Sequence, residues 1–385
     1  MGKYNFDVII NRKNTNSVKW NNENELPMWV ADMDFQTVPE VIEELHKIVD
    51  HGIFGYCTIP ETFRESVVNW NKRNNLLVEK EWVLYAPGIM PAISSIIRKF
   101  TSPADNVLIM TPVYNSFFNS ILHNGRNVQE SLLVYRNNQY EIDFSDLEEK
   151  LKHPNTSLML LCSPHNPVGK VWSKTDLRKI ADLTLKHNVL VVADEIHSDL
   201  CHSKNFIPFA TVSENAKNNS ITCKSVSKTF NLASIHCANV IIPSEYIRNK
   251  VLAAFNTDKL LEPNTFAITA ATTAYNKGEQ WLQELNEYLI SNINICKDFL
   301  EKEIPNVKLV NPSALYLLWL DCSKITSDTS KLCEHLLKET GLNVTAGSTY
   351  GESGKNFIRM NIACPKATLD DGLNRLKKGI DTFKD

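Results

Sequence analysis

Ser157-Leu158-Met159-Leu160-Leu161-Cys162-Ser163-Pro164-His165-Asn166-Pro167-Val168-Gly169 is the stretch that decides the fold. Its first half is apolar without alternation, which suits a strand covered on both faces, as in a parallel sheet between helices. Its second half is a cluster of turn formers. The same figure returns at Val189-Leu190-Val191-Val192-Ala193, closed by Asp194, and at Ser220-Ile221-Thr222-Cys223, followed by Ser225-Val226-Ser227-Lys228. Val107-Leu108-Ile109-Met110 is a further strand. Between Asn166 and Asp194, Lys174-Thr175-Asp176-Leu177 opens a helix whose apolar positions Leu177, Ile180, Ala181, Leu183 and Leu185 follow a helical period. Strand and helix alternate in this way from roughly residue 85 to residue 245.

The two ends read differently. Pro39 to Asp50 is a helix with Val41, Ile42, Leu45, Ile48 and Val49 on one side, stopped by Gly52. Gln280 to about Glu303 is a long helix, and Tyr316–Leu320 and Phe357–Ile362 are strand-like. A final helix, capped by Thr368, carries Leu369, Leu373, Leu376, Ile380 and Phe383. The expected fold is therefore α/β. A mostly parallel, seven-stranded type of sheet flanked by helices spans residues 46–285, and a smaller α+β domain is built from residues 1–45 and 286–385.

In a parallel α/β sheet, ligands bind in the crevice at the carboxyl ends of the strands. Asn166, Asp194 and Lys228 each follow such an end, so an amide, a carboxylate and an amine meet there. That set suits pyridoxal phosphate: the amine condenses with the aldehyde, the carboxylate keeps the pyridine nitrogen protonated, and the amide donates to the ring oxygen.

Composition narrows the class. The chain has 385 residues, too many for one compact core, with 43% hydrophobic and 22% charged residues and a formal net charge of −3. That balance gives no reason to expect a nucleic-acid or membrane-surface partner. No apolar run approaches the about eighteen residues that span a bilayer, and Met1-Gly2-Lys3-Tyr4-Asn5-Phe6-Asp7 lacks a signal-peptide core, so a cytoplasmic protein is expected. The nine cysteines are scattered without a C-x-x-C pair and the ten histidines lack ligand spacing, which predicts reduced thiols and no metal.

Asn166-Pro167-Val168-Gly169 and Ser225-Val226-Ser227-Lys228 resemble the N-P-x-G and S-x-S-K motifs of the fold-type I pyridoxal phosphate enzymes, the aspartate aminotransferase superfamily. Within it the chain looks most like the MalY/PatB branch of cystathionine and cysteine-S-conjugate β-lyases. The pieces that carry this closer likeness are Thr15-Asn16-Ser17-Val18-Lys19-Trp20, Pro27-Met28-Trp29-Val30-Ala31-Asp32-Met33-Asp34-Phe35, Asp194-Glu195-Ile196-His197 and Ser227-Lys228-Thr229-Phe230-Asn231.

The resemblance implies roles residue by residue. Lys228 is the Schiff-base lysine and general base, Asp194 the partner of the pyridine nitrogen and Asn166 the donor to the ring oxygen. Tyr114 stacks on the ring. Pro87-Gly88-Ile89-Met90-Pro91-Ala92 precedes a helix running through Ile93, Ile96 and Ile97, and the amides of Gly88, Ile89 and Met90, with the hydroxyls of Ser225 and Ser227, bind the phosphate, Ser225 being the better match. Tyr56 reaches the phosphate of a neighbouring subunit, which implies a homodimer with shared sites. Arg359, in Phe357-Ile358-Arg359-Met360-Asn361, binds the substrate α-carboxylate. Two positions depart from the superfamily: His197 stands where a Tyr is usual and could still donate to the ring oxygen. His236 stands where an Arg usually serves the phosphate, leaving that cation unassigned.

The implied reaction is α,β-elimination on an L-cysteine thioether such as cystathionine, giving pyruvate, ammonia and a thiol. An aminotransferase shares every cofactor contact and is the alternative. A regulatory protein that keeps the fold for partner binding is the remote one, and relatives that modulate transcription make a secondary protein partner conceivable.

Overall fold

A computed structural model describes residues 2–203 and 205–384. Its centre is an eight-stranded sheet. The strands are Val83–Ala86, Asn106–Thr111, Asn127–Arg136, Gln139–Ile142, Thr156–Cys162, Leu190–Asp194, Ser220–Ser225 and Ala238–Ile241. Across the sheet their order is 83–86, 238–241, 220–225, 190–194, 156–162, 106–111, 127–136 and 139–142. The five neighbours from 220–225 to 127–136 are parallel, as the unbroken apolar runs require. Strand 238–241 runs against both its neighbours. The eighth strand is a hairpin return: Asn137 and Asn138 both take positive φ (49° and 62°), the backbone of a tight two-residue turn.

Helices cover both faces. Lys174–Lys186 starts on a capping box, the Ser173 hydroxyl accepting from the Asp176 amide while the Asp176 carboxylate accepts from the Ser173 amide. Pro39–His51 stops at Gly52 in the left-handed region (φ 73°). The long helix Glu279–Glu303 buries Trp281, Leu282, Leu285, Leu289, Ile293, Cys296 and Leu300 along one stripe. Its buried Asn292 donates to the carbonyls of Ile362 and Cys364 (2.9 and 3.0 Å), tying it to a second sheet.

That second sheet is antiparallel, in the order Lys308–Leu309, Leu317–Asp321, Phe357–Asn361, Thr345–Ala346. Beside it the N-terminal Leu26–Pro27 pairs in parallel with Leu342–Asn343. Trp319 joins the two sheets: its ring stacks on Phe357 (centroids 5.1 Å, 5° between planes), and its Nε1 donates to Tyr140 Oη at 3.1 Å.

Two local expectations change. Thr368 is not a cap: the last helix, Lys366–Thr382, starts after Pro365, and the Thr368 amide already donates to the Pro365 carbonyl. Pro365 holds the backbone at the helix entrance without a side-chain hydrogen bond. The helix after strand 83–86 begins at Ile89, with Gly88 as N-cap and Pro91 inside its first turn, where no amide donor is needed.

Trp319→Ala should lower the unfolding free energy by about 3–5 kcal/mol, read by urea denaturation, because a fully buried indole, its stack on Phe357 and its hydrogen bond to Tyr140 of the other sheet are lost together. An unchanged midpoint would contradict this account of how the sheets are joined.

Candidate active site

The register of the central strands levels their ends: Cys162 stands opposite Asp194, and Asp194 opposite Cys223. Asp194 closes its strand, Asn166 lies in the turn after 156–162, and Lys228 lies in the short helix Val226–Thr229 after 220–225. All three line one cavity of about 560 Å³, together with Gly88, Ile89, Met90, Tyr114, His197, Ser227, His236 and Arg359. Of the residues singled out in the sequence, two lie elsewhere. The Ser225 hydroxyl turns to the Cys237 carbonyl (2.7 Å) and to Ser227, leaving Ser227 as the serine at the cavity. Tyr56 is fully exposed in the irregular segment after Gly52, beside exposed Ile53 and Phe54.

Electrostatics distinguishes this cavity from an ordinary crevice. Asp194, Lys228 and Arg359 face it, and among the described residues none of them forms an ion pair. Asp194 is 4% exposed and accepts one hydrogen bond, from the Ile196 amide at 3.1 Å. Burial pushes its carboxyl up to about 7, opposed by that amide and by the charge of Lys228. Lys228 keeps some accessible surface because its amine looks into the cavity, yet protein surrounds it. Burial, then the nearby Arg359 charge, pushes it down to about 8 against the pull of Asp32 and Asp194. Arg359 is buried; it donates to the Trp29 carbonyl at 2.8 Å and Asn166 Oδ1 at 3.3 Å, lies over the Tyr350 ring at 4.8 Å, and leaves its Nε without a partner. His197 is buried with Nδ1 unpartnered, and burial holds it well below the usual imidazole range.

Buried charge without a counter-charge is costly, so the cavity fits a ligand that brings the missing partners. A protonated pyridine nitrogen suits Asp194, an aldehyde suits a lysine partly neutral near pH 8, and a carboxylate suits the free edge of Arg359. The first turn of Ile89–Phe100 has no side-chain cap, so its amides are free to receive a phosphate. A Cβ at Gly88 would meet only the Pro91 ring, at 3.4 Å. The residues present therefore fit pyridoxal phosphate.

Sequence reading missed part of the wall. Tyr350, Thr345, Thr349 and Asn115 line the cavity, as do Val30 and Ala31. Tyr350 arrives because its carbonyl accepts from the Val113 amide (2.9 Å), beside Tyr114, a pairing that no local pattern signals.

Comparison with known proteins agrees with this chemistry. The family model "Aminotransferase class I and II" matches residues 24–376. Cystathionine beta-lyase PatB of Bacillus subtilis is 41% identical, over 98% of this chain and 100% of that protein. Protein MalY of Escherichia coli is 32% identical over 98% and 99%. The crystal structure of cystalysin from Treponema denticola, which contains pyridoxal 5'-phosphate, superposes with a TM-score of 0.95 at 33% identity, covering 99% of this chain and 100% of that one.

Only the neutral amine of Lys228 attacks an aldehyde. Uptake of pyridoxal phosphate by cofactor-free protein, followed by absorbance, should therefore rise with pH through a midpoint near 8 and level off above it. A midpoint near the unperturbed lysine value of about 10.4 would contradict the burial argument.

Proposed function

This chain belongs to the class I and II aminotransferase family, and from that premise we propose that it is a pyridoxal phosphate-dependent carbon–sulfur β-lyase acting on L-cystathionine or other L-cysteine thioethers. The observation that carries the reading is that Asp194, Lys228 and Arg359 meet around one cavity and, among the described residues, form no ion pair, which matches them to a cofactor ring and an amino acid carboxylate. Full-length similarity to a cystathionine β-lyase and to cystalysin supports the sulfur chemistry.

Lys228 would hold the cofactor's aldehyde carbon, Asp194 its ring nitrogen, and Asn166 its ring oxygen, with His197 as a second donor there. Tyr114 would cover a ring face, and the Ile89 and Met90 amides, after Gly88, would take the phosphate with the Ser227 hydroxyl. Ser225 would steady Ser227 through their hydrogen bond. Bound pyridoxal phosphate supplies an electron-withdrawing ring that stabilises negative charge on the amino acid Cα.

The chain's own side chains do the rest. Arg359 grips the α-carboxylate through its planar fork and so aims the Cα–H bond. The Lys228 amine would remove the Cα proton. The electron pair left behind expels the thiolate from Cβ, and a thiolate leaves without strong acid assistance because its conjugate acid is itself fairly acidic. Water then converts the three-carbon remainder to pyruvate and ammonia.

The exposed Ile53, Phe54 and Tyr56 support a homodimer in which Tyr56 of one subunit serves the site of the other. No helix among the described residues is long and apolar enough to cross a membrane, and all nine cysteines are free thiols, which supports a reducing, cytoplasmic setting.

Incubated with L-cystathionine and no keto acid, the holoenzyme should release pyruvate and thiol in equal amounts, and Lys228→Ala should release neither. Cofactor absorbance without pyruvate, followed by turnover on adding a keto acid, would make it an aminotransferase. Arg359→Lys should raise KM at least about tenfold, since a single ammonium cannot replace the two-pronged contact.

A further inference from the structure

Three of the quoted motifs have no part in the chemistry above: the stretch from Pro27 to Phe35, the residues around Lys19-Trp20, and the asparagines Asn231 and Asn361. The structure brings them together. Residues 28–35 form an irregular, bent strap, of which Trp29, Val30 and Ala31 line the cavity, and the carbonyls of residues 28–33 and 35 all accept hydrogen bonds. The Met28 carbonyl accepts from the Asn361 amide (2.8 Å), Trp29 from Arg359 (2.8 Å), and Val30 and Asp32 from Asn361 Nδ2 (2.5 and 2.6 Å). Ala31 accepts from Lys228 Nζ (2.6 Å) and Tyr316 Oη (3.0 Å). Met33 and Phe35 accept from Asn231 Nδ2 (3.0 and 2.8 Å), and Asn231 Oδ1 accepts from the Met33 amide (2.9 Å).

The outer side is pinned by charge. Arg12 bridges Asp32 and Asp34 (2.6 and 2.8 Å), buried Lys19 meets Asp34 at 2.8 Å, and Trp20 Nε1 donates to Asp34 at 2.8 Å. Asn231 lies three residues beyond Lys228 and Asn361 two beyond Arg359, so each gripping amide shares a short segment with one of the cavity's two cations.

We infer that Asn231 and Asn361 are positioning residues, which hold the strap so that the Ala31 carbonyl stays on the Lys228 amine whenever that amine is free. This rests on the cofactor reading above. A carbonyl acceptor stabilises the ammonium more than the neutral amine. The strap thereby orients Lys228 and supports the charge it gains on taking the Cα proton. The other groups that act on Lys228 are Asp194 from its strand end, Asp32 from the strap and Arg359 from the second sheet; neutral His197 and Tyr316 stand beside them.

The test is the pH midpoint of pyridoxal phosphate uptake in wild type, Asn231→Gly and Asn361→Ser, with thermal unfolding measured alongside. Asn231 has φ 56°, so glycine keeps its backbone while removing the gripping amide. With the Ala31 carbonyl loosened, the ammonium loses its acceptor and deprotonates more readily, so the midpoint should fall by about one pH unit in both variants. Variants that unfold at lower temperature but keep the wild-type midpoint would make the asparagines merely structural and overturn the inference. A wild type that takes up no pyridoxal phosphate would instead overturn the cofactor reading. Should one variant fail to fold, the midpoint of the other decides.

Discussion

Cys162, Asp194 and Cys223 stand side by side in the central sheet, and this levelling of three parallel strands is the constraint on which the site depends. A parallel ladder sends every strand end to the same edge, so three chemically different side chains, far apart in the chain, emerge within one crevice. A slip of one residue would turn Asp194 to the opposite face of the sheet and bury its carboxylate among the aliphatic side chains of the covering helices. The apolar runs before these residues, with 0% exposure at Val191, Val192 and Ala193, hold the register because both faces are packed.

The protein handles buried charge in two opposite ways within a short distance. Around Asp34 every charge has a partner: Arg12, Lys19 and the Trp20 indole converge on one carboxylate and fasten the N-terminal strap. Across the strap, Asp194 and Arg359 are buried and Lys228 partly so, and among the described residues none of the three forms an ion pair. The first arrangement stabilises a fixed structure; the second stores affinity for a ligand that brings a cation and a carboxylate. The shared carbonyls of Trp29 and Ala31 connect the two, since one segment is gripped by the satisfied cluster and touches the unsatisfied one.

Much of this was legible beforehand because strands covered on both faces announce themselves as unbroken apolar runs, and the residues that follow them are the ones a parallel sheet exposes to ligand. The helix over Lys174–Lys186 was readable from its period and its Lys174-Thr175-Asp176-Leu177 opening, and Gly52 as a stop from the left-handed backbone it permits. What misled was the fine placement of helix starts. Thr368 has the chemistry of a cap, but Pro365 had already begun the helix. Ser225 matches a phosphate ligand by motif, while its hydroxyl is committed to the Cys237 carbonyl and only Ser227 meets the cavity.

By itself the sequence determined the α/β class, the edge of the sheet that carries the chemistry, and the amide, carboxylate, amine and guanidinium that the site would use. These depend on hydrophobic period and on which residue follows a strand, and both are local. Only the tertiary structure decided that Tyr350 arrives beside Arg359, that Tyr316 and Lys228 share the Ala31 carbonyl, and that Asn231 and Asn361 hold one strap. Each of those contacts joins segments distant in the chain through backbone carbonyls. Every residue carries a carbonyl, so its presence in the sequence says nothing about which donor will find it.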